Sequence, residues 1–152
     1  MRKVTLLFAF MIGLAYAQGK MSPEQRQAVL DYQLTLSRAN SLISALDSMT
    51  KYVVSLPDYA DRVRKAAGMT PAQRLAQIEN DPRATAILKQ NNLTARDYIV
   101  GVPALRMALM LAQGGPGGGN LVASPANVAF AKANLGTLKP KMDAADGASA
   151  RK

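Results

Sequence analysis

The chain has 152 residues, with nineteen Lys and Arg against ten Asp and Glu, and no Cys, His or Trp. Without thiol or imidazole it lacks the usual ligands for zinc, copper, haem and non-haem iron, the thiolate nucleophile, the disulfide and the commonest general base. A formal charge of +9 favours anionic partners, and five tyrosines with three phenylalanines offer little for base stacking.

Residues 1–17, MRKVTLLFAFMIGLAYA, set Arg2 and Lys3 before an apolar run and end on the small residues Ala15 and Ala17. That order predicts a secretory signal peptide cleaved after Ala17, since the run is shorter than the ~20 residues a membrane span needs. The expected destination is the periplasm of a Gram-negative cell, or otherwise the exterior. Nucleic acid is not expected as a partner there. Residues 18–143 read as a single helical domain with a flexible glycine-rich linker at 114–119, and 144–152 as a disordered tail.

In MSPEQR, at 21–26, Ser22 is an N-cap acceptor, Pro23 fixes φ at the first helical position and Gln25 stands where its side chain can reach back. The helix opened there is expected to be long, 23–55. Val29, Tyr32, Leu36, Ala39, Ile43, Leu46, Thr50 and Val53 form an apolar stripe at steps of three and four, widened by Leu30, Leu34, Leu42 and Met49, until Pro57 forces a break. A second helix spans 57–67, with Tyr59 and Val63 on one side, Arg62, Arg64 and Lys65 late, and Gly68 past its end. MTPAQR, at 69–74, repeats the first helix start, and Asp81-Pro82 opens a further short helix closed by Asn91 and Asn92.

Thr94 then caps a segment over 95–112 that is apolar on nearly every side, with Arg106 in its middle. Its length and that charge predict a buried core helix rather than a span, with Gly101 and Pro103 expected to kink it. After the glycines, Ser124 and Pro125 open a last helix whose Val128, Ala131, Leu135, Leu138 and Met142 face inward, weakened by Gly136 and Pro140. No alternating strand pattern occurs. The predicted fold is all-α: an irregular bundle of one long N-terminal helix, several short helices and a buried hydrophobic helix.

The catalytic inventory is thin. Glu24, Asp81 and Asp97 occupy helix starts and Glu79 with Asp81 lacks the further oxygens of a calcium loop, so no catalytic residue, metal ligand or cofactor is assigned. Residues 114–119 have neither a preceding strand nor a following Lys-Ser/Thr pair, which excludes a phosphate loop. The candidate interaction surface comprises Tyr59, Arg62, Arg64, Lys65, Arg96, Tyr98 and Arg106: two Asp-Tyr pairs with arginines close by. The competing reading has these tyrosines closing the core and the arginines solvating its rim.

MSPEQR and MTPAQR resemble the twice-repeated Leu-Thr-x-x-Gln motif of Spy/CpxP-type periplasmic chaperones, matching at Ser22, Gln25, Thr70 and Gln73. The resemblance implies an ATP-independent chaperone or envelope-stress protein, often a dimer, that holds unfolded clients on a basic surface. Elsewhere, the largely apolar 34–56, the hydrophobic 95–112 and the glycine run depart from that family. The chain otherwise resembles uncharacterised secreted helical bacterial proteins. Two functional expectations result: a non-enzymatic exported protein that binds unfolded or acidic proteins or peptides, or a binder of lipids or anionic membrane surfaces through 95–112.

Overall fold

The computed structural model describes residues 21–115 and 121–147. The expected signal peptide, residues 116–119 of the expected linker and residues 148–152 of the expected tail lie outside the described residues. Seven helices occur in order: α1 Pro23–Asp31, α2 Leu36–Val54, α3 Tyr59–Ala67, α4 Pro71–Glu79, α5 Pro82–Gln90, α6 Ala95–Ala112 and α7 Pro125–Gly147. Among the described residues the protein is all-α.

The helix starts follow from local chemistry. Ser22 Oγ accepts the Gln25 amide at 3.2 Å while Gln25 Oε1 accepts the Ser22 amide at 2.8 Å. Thr70 and Gln73 make the same reciprocal pair at the same distances, and Thr94 with Asp97 makes a third. Each box satisfies two amides that a helix leaves orphaned, and an N-cap contributes about 1 kcal/mol. The end of α5 is equally local. Asn92 takes a positive φ of 55°, and the Leu93 amide donates to Leu88 O at 3.0 Å, with Leu88 and Leu93 both buried.

The long helix expected over 23–55 is two helices. It stops at Asp31, runs extended at Tyr32 and restarts at Leu36, where Thr35 Oγ1 caps the Arg38 amide at 3.2 Å. A partner for the break lies far along the chain. Asn127, 3% exposed, accepts the Leu34 amide at 3.0 Å and donates to Tyr32 O at 2.6 Å. One buried amide side chain thus satisfies the two backbone groups freed by the break. The break also turns Leu36, expected in the stripe, outward to 47% exposure.

α6 lies at the centre. Residues 101–105 and 107–109 are buried, and its largest partner is α7, which also packs along α2. Leu42, Leu88, Leu105 and Leu138, from α2, α5, α6 and α7, are fully buried. Each such side chain stabilises the fold by about 1.5–3 kcal/mol. α6 is unbroken through Gly101 and Pro103. Two side chains press on Gly101: a Cβ there would stand 2.8 Å from Leu42 Cδ2 and from Tyr32 Cζ. A smaller cluster of Val29, Ala104, Met107 and Val122 fastens α1 to α6.

α7 is longer than expected and continues through Gly136 and Pro140 to Gly147, so residues 144–147 of the expected tail are helical. Pro140 cannot donate to Gly136 O, but Gly136 is exposed and water can take that role. Beyond it, Met142 and Ala145 are buried, and Asp146 pairs with Arg106 of α6. Packing therefore outweighs weak propensity here. Burial pushes the Asp146 carboxyl above its usual range although Arg106 pulls it down.

Candidate binding cleft

α5 packs on α2, α4 packs on α5 and α6, and α3 follows the end of α2 with only sparse helix contacts. Between them opens a cleft of about 140 Å³. Met49, Val53 and Leu56 line it from α2 and its end, Ile78 from α4, Ala84 from α5, and Val63, Ala66 and Ala67 from α3. Tyr98 of α6 is buried at 7% exposure and forms its floor. Burial pushes the Tyr98 phenol far above its usual range.

α3 is the roof. Like α4 it has no buried residue, but unlike α4, which packs on α5 and α6, it makes only sparse contacts with other helices. It hangs between Pro57 and Gly68, and Arg74 of α4 donates through Nη2 to Ala66 O at 3.2 Å, covering a carbonyl in its last turn. Its apolar side, Val63 and Ala66, faces the cleft. A helix held this weakly is drawn from the low-stability end of a structure.

The rim is polar. Tyr52 donates its hydroxyl to Asp81 Oδ2 at 2.8 Å, while Asp81 Oδ1 accepts the amides of Arg83 and Ala84 at 3.0 and 3.1 Å. The Arg83 guanidinium stacks 5.1 Å from the Tyr52 ring centroid. Arg62 Nε donates to both carboxylate oxygens of Asp58 at 2.9 Å. Burial raises the Asp81 carboxyl, but its amide and phenol donors outweigh this and hold it below the usual range. The hydrogen bond to Asp81, with burial, holds the Tyr52 phenol above its own. Neither group therefore changes charge near neutral pH.

Of the seven residues of the sequence-derived surface, Tyr59, Arg62, Arg64 and Lys65 lie on α3, and Arg96, Tyr98 and Arg106 on α6. Arg62 and Tyr98 meet at the cleft. Tyr59 is half-buried in the first turn of α3, Arg64 is exposed and pairs with Asp61, and Lys65 is exposed. Arg96 is exposed in the first turn of α6, and Arg106 is largely covered and pairs with Asp146. The sequence reading missed Tyr52, Arg74 and Arg83, and took Asp81 only as a cap. No local signal joins them, because Tyr52 lies on α2 and Asp81 and Arg83 at the start of α5, and only the fold brings them together.

Among the described residues no group of three acidic side chains could hold a metal ion, and no helix is long and apolar enough to cross a membrane. Comparisons with protein-family models, curated proteins and solved structures find no match to this chain.

Proposed function

We propose that this is a non-enzymatic exported protein, chaperone-like in its mode of action, that binds other proteins by taking an apolar side chain of the partner beneath α3. The observation that carries this reading is an apolar cleft roofed by a helix that buries none of its own residues. Size favours a side chain over a lipid. A cavity of about 150 Å³ holds one benzene-sized group, whereas drug-sized ligands take about 300–1,000 Å³, so about 140 Å³ suits one Leu, Met or Phe. A lipid reading through 95–112 would require α6 to leave the centre of the core. The signal-peptide pattern and the basic charge agree with an envelope protein that meets unfolded or acidic clients.

The test is suppression, without ATP, of the aggregation of a denatured client by the wild-type protein and by Val63→Asp. This substitution sets a charge in the cleft roof without entering the core. Suppression by the wild type that falls sharply in the variant, at unchanged helicity, is expected. Equal suppression by both, or none at stoichiometric amounts, counts against the reading.

A further inference from the structure

The cleft and its rim are positioned to recognise two features of one small group at once. The interior takes an apolar side chain, and more positive than negative charge lines the cleft: Arg62 and Arg74 stand with Asp81, while Arg83 stacks on the lining residue Tyr52 and Asp58 pairs with Arg62. Asp81 already accepts three hydrogen bonds, and Asp58 is occupied by Arg62. Arg83 is exposed and stacks on Tyr52, and it forms no ion pair among the described residues. Its planar donors are therefore preorganised and available to a carboxylate, for which a guanidinium fork is well matched. Lys65 adds positive charge nearby, since it helps depress the Asp58 carboxyl, after the larger effect of Arg62.

Resting on the proposal that the cleft takes a partner's side chain, we infer that its ligand is the C-terminal residue of a polypeptide, an apolar side chain entering under α3 and the free carboxylate meeting Arg83 and Arg62. Room for about one residue favours this arrangement, because a terminal residue carries both features on a single Cα. An internal apolar residue would bring two further backbone strands past the mouth. It would also leave the guanidinium of Arg83 without an anion.

The experiment measures binding of the full chain, by fluorescence anisotropy, to N-terminally labelled Gly-Ser-Gly-Ala-Leu ending in a free acid or in a carboxamide. The free acid is expected to bind about tenfold tighter than the amide, and Arg83→Gln to bring the two within about twofold. Arg62→Gln, which leaves the Tyr52 stack in place, provides a second reading of the same contrast. Equal binding of acid and amide, with both lost in Val63→Asp, overturns the carboxylate assignment and leaves the cleft reading standing. Failure of both peptides to bind, or binding indifferent to Val63→Asp, overturns both. Octanoate that outcompetes the acid peptide overturns the peptide as the source of the carboxylate.

Discussion

Asn127 connects the last helix to the turn between the first two, and its exchange tests why α1 and α2 are separate. Asn127→Leu would leave the Tyr32 carbonyl and the Leu34 amide unpaired in a buried setting, at about 1–3 kcal/mol each. A fall of about 2–4 kcal/mol in urea unfolding is expected, and an unchanged midpoint would show that the bridge does not set the break. Asp81 contributes to behaviour in acid. Its carboxyl pKa is lower in the folded state than the ordinary 3.8, so its contribution is full above that value and is lost as pH falls through the folded pKa. Asp81→Asn should therefore lower stability at neutral pH and flatten the acid limb below pH 3.8, as followed by far-UV circular dichroism. Ser22, Thr70 and Thr94 were legible as caps because donor and acceptor lie three residues apart. Asn127 was not, because its partners are 93 and 95 residues away.

Among the helices, α3 and α7 depart from what propensity suggests, in opposite directions. The amides of α3 should exchange with solvent far faster than those of α6, since α3 buries no residue and α6 buries half its length. Hydrogen exchange read by mass spectrometry checks this, and equal protection would remove the case for a weakly held roof. α7 contains Gly136 and Pro140, yet its final turn is part of the core. A chain ending at Asp143 should melt several degrees lower, because it loses buried Ala145 and the Asp146 partner of Arg106. An unchanged melt would restore the expectation of a dispensable tail. The apolar stripe correctly gave Ala131, Leu138 and Met142 as inward residues. How far the helix ran was hidden, because the contacts that hold its end come from α6, which lies earlier in the chain.

For the whole molecule, the all-α class and the central place of 95–112 were readable from periodicity, because a helix apolar on every side has only the core to occupy. The cleft was not readable. Its walls are the apolar faces of three nine-residue helices and the flank of α2, and each face alone is indistinguishable from core. Charge placement was partly readable: the arginines are numerous, but only the fold brings Arg62 and Arg83 near Tyr52. The shared centre makes a further prediction. Leu105→Ala should cost about 2–5 kcal/mol and loosen α2, α5 and α7 together, whereas a loss confined to one helix would deny that these form one core.

The reach of Asn127 also orders events in time. A ribosome delivers Tyr32 and Leu34 long before it delivers Asn127, and until then those two backbone groups have only water to bond. The backbone of the turn between α1 and α2 therefore gains these two partners only when the last helix arrives, after α6 is already available to pack on α1.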